Sequence, residues 1–258
     1  MLCADFKKKL ETEIPNALIE ALRHAQSVAV LTGAGVSAES GVPTFRDAQT
    51  GLWAQFNPQE LATREAFARN PKLVWEWYAY RRELISDAVP NAGHYALAEL
   101  ETRVSQFTLI TQNIDDLHAR AGSQNIIELH GNIYRYKCFK ENVRAEKWID
   151  DGQIPPRCPR CGAYLRPDVV WFGESLPPLA LDEAFRAARE CDVFFSIGTS
   201  GVVEPAASLP FLALRRGAIV VEVNPDETPL SESATFVLRA PSGVAMPRLV
   251  ARVWAAEE

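Results

Sequence analysis

An apolar, β-branched run, Ser27-Val-Ala-Val-Leu-Thr32, passes directly into Gly33-Ala-Gly-Val-Ser-Ala38, and this junction restricts the chain to few folds. The run reads as a buried strand. The six residues after it fit the glycine fingerprint of a dinucleotide-binding βα unit. In such a unit Gly33 permits the tight turn and Gly35 lets the backbone approach a pyrophosphate. Ala38 keeps the next helix close to the sheet, with the helix N-terminus facing the phosphates. The continuation departs from a hydride-transfer enzyme, which would run a helix into a second strand ending in an acidic residue about 20 positions on. Here Pro43 interrupts the pattern and Thr44-Phe-Arg-Asp47 follows at once. A ring, a guanidinium and a carboxylate beside a dinucleotide point to chemistry on NAD itself.

Further strands are expected at Phe107–Thr111, Ile126–Leu129, Val193–Ile197, Ile219–Val223 and Thr235–Leu238. Helical stretches separate several of them, among them Asn91–Glu101 and Asp182–Glu190, and an amphipathic helix from about Phe6 to Ala25 precedes the first. Strands alternating with helices imply an α/β fold, a Rossmann-like parallel sheet with helices on both faces. Polar or glycine residues stand at the strand ends: Gly33-Ala-Gly35, Gln112-Asn-Ile-Asp115, His130-Gly131, Gly198-Thr-Ser200 and Asn224-Pro225. Such positions line the ligand crevice of an open α/β sheet. Two stretches break the alternation. One is helical and aromatic, about 50–82; the other carries clustered cysteines and prolines, about 134–167. Both read as insertions forming a smaller lobe, leaving the large lobe to about 1–49, 83–133 and 168–258 of a single 1–258 catalytic domain.

At 258 residues the chain suits one large domain with a small module. Its net charge of −6, without a basic run, argues against a nucleic acid partner. No apolar stretch approaches the ~20 residues of a membrane span. Met1–Leu10 lacks a signal-peptide core, and Glu11 and Glu13 argue against a transit peptide, so a cytoplasmic location is expected. Five cysteines, three of them clustered, fit a reducing compartment and a metal site better than disulfides. Cys3 and Cys191 stand alone.

His130, at a strand end, is suited to exchange a proton near neutral pH. Gln112, Asn113 and Asp115 offer amides and a carboxylate for ribose hydroxyls and a carboxamide. His118 reads as a helix-surface residue, and His24 and His94 lack a comparable setting. Taken together, Gly33–Asp47, Thr111-Gln-Asn-Ile-Asp115, Leu129-His-Gly131, Val170-Trp-Phe-Gly-Glu174, Gly198-Thr-Ser200 and Glu222-Val-Asn224 resemble the sirtuins, NAD-dependent protein lysine deacylases. The resemblance runs over nearly the whole chain.

It implies a Rossmann-like lobe and a small zinc-and-helix lobe, with NAD and acyl-lysine meeting between them. The acyl oxygen would attack the ribose carbon bearing nicotinamide. His130 would then act as general base on a ribose hydroxyl, giving free lysine, nicotinamide and O-acyl-ADP-ribose. The implied NAD-binding set is Gly33, Ala34, Gly35, Ser37, Phe45, Arg46, Gln112, Asn113, Asp115, Gly198, Thr199, Ser200, Asn224 and Ser242. Val170, Phe172, Gly173 and Glu174 would pair with the substrate backbone as an added strand. The partners implied are acylated-lysine proteins or peptides as substrates, and the chain is expected to be a monomer.

Trp75–Arg82 reads as a helix, on which Tyr78 and Arg81 share a face. A guanidinium fork beside a phenol suits a carboxylate. Their spacing, with Ala62 sixteen residues earlier, resembles the sirtuin subclass that removes succinyl and malonyl groups, and deacetylation is expected as a second activity. Two CxxC pairs would close a zinc site in that family. Cys158 and Cys161 are intact, whereas Cys138 faces Glu141 at its partner position. A glutamate ligand, a water ligand or a metal-free lobe all remain open. Rival readings are a protein mono-ADP-ribosyltransferase and a non-catalytic NAD- or ADP-ribose-sensing module.

Overall fold

In β1 (Ser27–Thr32) alternate residues serve opposite cores: Val28 and Val30 pack into one buried cluster, Ala29 and Leu31 into another. β7 (Val193–Ile197) and β8 (Ile219–Val223) behave alike, with Phe195 and Val221 on the first side and Phe194 and Val220 on the second. A period of two with both faces apolar is what a sheet covered by helices on each side demands. These strands join β2 (Gln106–Thr111), β3 (Ile126–Glu128) and β9 (Phe236–Leu238) in one parallel sheet, ordered β3-β2-β1-β7-β8-β9. The computed structural model describes residues 13–43, 57–148 and 152–254. The Thr44–Asp47 loop with Phe45 and Arg46, Cys3, and the start of the expected first helix lie outside the described residues.

Three helices cover the first face: α1 (Asn16–His24), α6 (Ala92–Arg103) and α10 (Ser242–Val253), through Leu18, Leu22, Leu97, Leu100, Met246 and Leu249. Two others, α8 (Pro178–Glu190) and α9 (Ser208–Arg215), cover the second with Ala184, Ala188, Leu209 and Ala213. α2 (Gly35–Ala38) and α7 (Leu117–Ala121) are single turns after β1 and β2.

The first insertion forms α3 (Pro58–Leu61), α4 (Arg64–Arg69) and α5 (Pro71–Ser86). Thr63 caps α4 by accepting the Ala66 N–H. Asn70 caps α5 by accepting that of Leu73, with Pro71 opening the helix. The second contains an antiparallel sheet absent from the sequence-based expectation, ordered β5 (Arg144–Ala145), β4 (Gly131–Cys138), β6 (Leu165–Val169). Phe67, Trp77, Tyr78, Ile133, Val169 and Trp171 form the core joining the two insertions. Among the described residues no helix is long and apolar enough to cross a membrane.

Candidate active site

The strand order reverses between β1 and β7, and the segments leaving those two strands interlock. Gly33 N–H donates to Ile197 O at 3.1 Å, and Gly35 N–H to Gly198 O at 2.8 Å. A Cβ on Gly35 would lie 2.7 Å from Gly198 O, so glycine is required at 35 by another backbone, whatever approaches from outside. The fingerprint therefore closes the βα turn onto β7.

Beneath that turn lies a polar network that is almost wholly buried. Ser37 Oγ donates to Asp115 Oδ2 at 2.7 Å, and Asn113 Nδ2 donates to Gly33 O and Ser37 Oγ, each at 3.1 Å. Asp115 also accepts the Leu117 N–H at 3.1 Å. Burial pushes the Asp115 carboxyl up, and these hydrogen bonds from Ser37 and Leu117 pull it back.

His94 and His118 meet in the same network, contrary to the surface position expected for His118 and the lack of setting expected for His94. They are 0% and 3% exposed, with ring centroids 4.8 Å apart. His94 Nε2 lies 3.5 Å from Ser37 Oγ, and its Nδ1 accepts the Asn91 N–H. His118 Nε2 is 3.0 Å from Thr32 Oγ1, which bonds Thr111 Oγ1 at 2.9 Å, while its Nδ1 has no hydrogen-bond partner. Burial drives His94 down to about 4. Burial, and then His94, drive His118 down to about 3. Both rings are neutral at pH 7. His24 is an exposed residue at the end of α1.

His130 is half-buried in the turn between β3 and β4, with Nδ1 2.9 Å from Gln112 O. A carbonyl only accepts, so Nδ1 carries the hydrogen and Nε2 is left as the basic nitrogen. Burial pushes this imidazole below its ordinary pKa, and the Gln112 carbonyl pulls it back. Gln112 Nε2 reaches Thr199 Oγ1 at 3.0 Å, and Asn224 Nδ2 donates to Thr199 O at 2.9 Å. Gln112, Asn113, Asp115, His130, Gly198, Thr199 and Asn224 thus follow three strand ends plus the β3–β4 turn. Ser200 follows Thr199, and Ser242, buried at the start of α10, lies 3.4 Å from Glu39 Oε2.

Val170–Glu174 forms the facing wall. Val170 N–H donates to His130 O and Phe172 N–H to Ala62 O, each at 2.9 Å. The buried Ala62 therefore sits beside this strap, whose Phe172 and Gly173 are exposed. On α5, Tyr78 and Arg81 are both buried. Trp171 Nε1–H donates to Tyr78 Oη at 2.9 Å, which leaves the phenol its own hydrogen to give. Burial raises Tyr78 to about 12, with Arg81 and the Trp171 bond opposing, so the phenol keeps that hydrogen. The Arg81 guanidinium lies 5.3 Å from the centroid of the Trp77 ring. Arg82, half-buried, lies over Trp75 and Tyr136.

Further along the insertion, Cys138, Glu141, Cys158 and Cys161 converge, their donor atoms all within 4.8 Å of one another. Two matching turns bring this about. Cys138 N–H bonds Val143 O and Asn142 N–H bonds Cys138 O; Cys158 N–H bonds Ala163 O and Gly162 N–H bonds Cys158 O. Asn142 (φ +54°) and Gly162 (φ +70°) occupy the same left-handed position in each turn. Glu141 consequently stands where the other turn carries Cys161. Tetrahedral zinc with Zn–S of about 2.3 Å needs donors ~3.8 Å apart, and Cys138 Sγ and Cys161 Sγ are 3.5 Å apart. The donor set fits a zinc ion.

Sequence reasoning missed Thr32, Thr111, His94 and His118, whose partners lie dozens of residues away, and Arg166 in β6. A crevice of about 580 Å³ also opens at the amino ends of β1–β3, lined by Glu101, Glu183 and Arg186 among others, and holds none of these residues.

Comparison with known proteins converges on one family. The sequence model described as the Sir2 family matches residues 33–205. A protein of Caldanaerobacter subterraneus subsp. tengcongensis, named NAD-dependent protein deacylase 1, is 57% identical over 218 residues, 84% of this chain and 90% of that one. Among solved structures, a SIR2 homolog–NAD complex aligns with TM-score 0.86 and 48% identity, covering 94% of each chain. A Sir2 bound to acetylated peptide aligns with TM-score 0.82 and 32% identity, covering 93% of this chain and 98% of that one.

Proposed function

The chain belongs to the Sir2 family, and from that premise we propose how it selects its acyl group and moves its protons. It is an NAD-dependent protein deacylase acting on acyl-lysine proteins. The finer reading is removal of succinyl and malonyl groups, with acetyl as a second substrate.

One observation carries that reading. The Tyr78 oxygen already accepts from Trp171, so its own hydrogen is left to give, and a buried guanidinium lies one helical turn away at Arg81. A phenol donor and an arginine fork in a desolvated pocket recognise a carboxylate. A plain acetyl group offers none. Ala62 contributes a small side chain beside the strap, leaving room for the longer acyl tail.

NAD, when bound, supplies a ribose carbon carrying nicotinamide as its leaving group. His130 Nε2 accepts the proton from a ribose hydroxyl, and the Gln112 carbonyl holds the ring in the required tautomer. Asn113 and Asp115 orient the nicotinamide ribose and carboxamide, with Gln112 beside them; Ser37 fixes Asn113 and Asp115 relative to each other. Gly33, Ala34, Gly35, Gly198, Thr199, Ser200, Asn224 and Ser242 form the phosphate and adenosine side. Val170, Phe172 and Gly173 present the strand edge to the peptide backbone.

Cys138, Cys158 and Cys161 would hold zinc with Glu141 as fourth ligand, an oxygen donor zinc accepts. The metal would tie β4 to the loop before β6. Arg160 Nε, 3.1 Å from Glu141 Oε2, offsets the charge of the set.

The test is one peptide carrying acetyl-, malonyl- or succinyl-lysine, incubated with NAD and read by mass spectrometry. Loss of each acyl mass, fastest for the acidic groups, is the expected result. Turnover of the acetyl peptide alone would refute the acyl assignment, and a gain of ADP-ribose mass would refute deacylation as the main reaction.

A further inference from the structure

Glu174 closes the strap at the edge of the cleft, and its carboxylate turns back into the protein. Oε1 accepts from Arg166 Nη1 at 2.6 Å and from Arg64 Nη1 at 3.1 Å. Oε2 accepts from Arg166 Nη2 at 2.6 Å and from the Trp171 N–H at 2.9 Å. The Glu174 N–H donates to Trp171 O at 3.0 Å, so Trp171–Glu174 is a four-residue turn closed from both ends. Its third residue, Gly173, has φ +82°, the left-handed conformation that such a turn reserves for glycine.

Arg166 is fully buried. Its guanidinium lies 3.4 Å from the centroid of the Trp171 ring and donates to Val169 O at 2.6 Å. Trp171 in turn gives its indole hydrogen to Tyr78. One unbroken chain of contacts therefore runs from Arg64 and Arg166 through Glu174 and Trp171 to the phenol of α5. A buried ion pair contributes little net stability over an apolar pair of like volume, so its placement calls for a role beyond holding the lobe together. Burial alone would lift the Glu174 carboxyl, but Arg166, the Trp171 N–H and Arg64 hold it down at about 2. It is ionised throughout the working pH range.

We propose that Glu174, gripped by Arg166, is a positioning residue for the acyl-peptide. It fixes the strand edge that pairs with the peptide backbone and, through Trp171, the phenol that meets the acyl tail. Backbone and acyl group are then read by one rigid unit. The inference rests on the reading of Val170–Gly173 as the substrate edge and of Tyr78 as part of the acyl pocket.

Two variants test it in the full-length enzyme. Glu174→Gln removes the charge at nearly constant volume. It should raise the KM of the acyl-peptide about tenfold, the usual weight of a hydrogen bond to a charged group, with a much smaller change in kcat and the same affinity for NAD. Trp171→Phe keeps a smaller ring beneath Arg166 and deletes the hydrogen given to Tyr78; the volume lost from the core falls on both acyl substrates alike. It should lower the succinyl-to-acetyl ratio of kcat/KM about fivefold. An unchanged peptide KM in Glu174→Gln would overturn the proposal, as would equal losses in peptide affinity, NAD affinity and kcat. Should Glu174→Gln fail to fold, an unchanged acyl ratio in Trp171→Phe overturns it instead. A wild-type enzyme inert toward succinyl peptide sinks the acyl reading alone, because the acetyl-peptide KM of Glu174→Gln still decides the positioning role.

Discussion

The two walls of the cleft handle polarity in opposite ways. On the sheet side, apart from the Asp115 carboxyl and Glu222 held by Arg239, the inward polar groups are neutral and bond to one another: Ser37, half-buried Asn113, Thr32, Thr111, and the imidazoles of His94 and His118. On the side of the insertions, formal charge is kept inside, with Arg166 against Glu174, and Arg81 buried beside Tyr78. A neutral, preorganised wall suits moving a proton, since it leaves His130 without a fixed countercharge among its described hydrogen bonds. A cationic wall suits gripping an anion. The division of labour between chemistry and selection follows from where the charges lie.

Removing the proton acceptor strikes the neutral wall hardest. His130→Ala should lower kcat about 10²- to 10⁴-fold, the range of general base catalysis, for every acyl group alike. Steady-state rates on acetyl and succinyl peptides check this, and a loss confined to one acyl group would break the contrast between the walls.

The metal comes next. Glu141→Ala should weaken zinc binding by at least about tenfold, by analogy with altered shells around metal sites, while Glu141→Cys should tighten it. Metal analysis of purified protein and competition with a chelator report this. Equal zinc content and affinity in all three proteins would remove Glu141 from the ligand set.

Acid should undo the neutral wall before the cationic one. In the unfolded chain His94 and His118 take protons near pH 6.5, whereas in the fold they resist until about 4 and about 3. Proton uptake therefore favours unfolding, and the stability these rings contribute is intact above about pH 6.5 and shrinks as pH falls toward 4. Glu174, held at about 2 in the fold against about 4.3 in the unfolded chain, adds its own loss only below about pH 5. Thermal unfolding followed between pH 7 and pH 4 should show a falling midpoint, smaller in a His94→Gln variant. The least effect is expected from Gly173→Ala. A Cβ there meets nothing within 4 Å, so the cost is the left-handed backbone alone, about 1 kcal/mol.

What the sequence made legible follows the same divide. β1, β7 and β8 match the expected spans to the residue, because a strand buried on both faces must be a continuous apolar run. The Trp75–Arg82 segment lies inside α5 as expected. The small sheet escaped notice for physical reasons. β6 reads Leu-Arg-Pro-Asp-Val, whose Arg166 looks like a surface residue until its ion pair is seen. In β4 a register shift between Asn132 and Tyr136 breaks the alternation that would have announced a strand. His118 looked like a helix-surface residue and His94 lacked a setting, because each finds a partner on another element, at Thr32 and Ser37. Glu141 was visible as a departure from a cysteine pair. The two matching turns give its equivalence to Cys161 a backbone basis.

The contrast between the walls is tested most directly by the ratio of kcat/KM for succinyl- over acetyl-lysine on one peptide, in the wild type and in Arg81→Met. The wild type should prefer the succinyl peptide, and losing the buried guanidinium should cut the ratio by about 10- to 100-fold, as expected for a charged hydrogen bond. An unchanged ratio, with both peptides slowed equally, would show that Arg81 supports the lobe and reads no carboxylate.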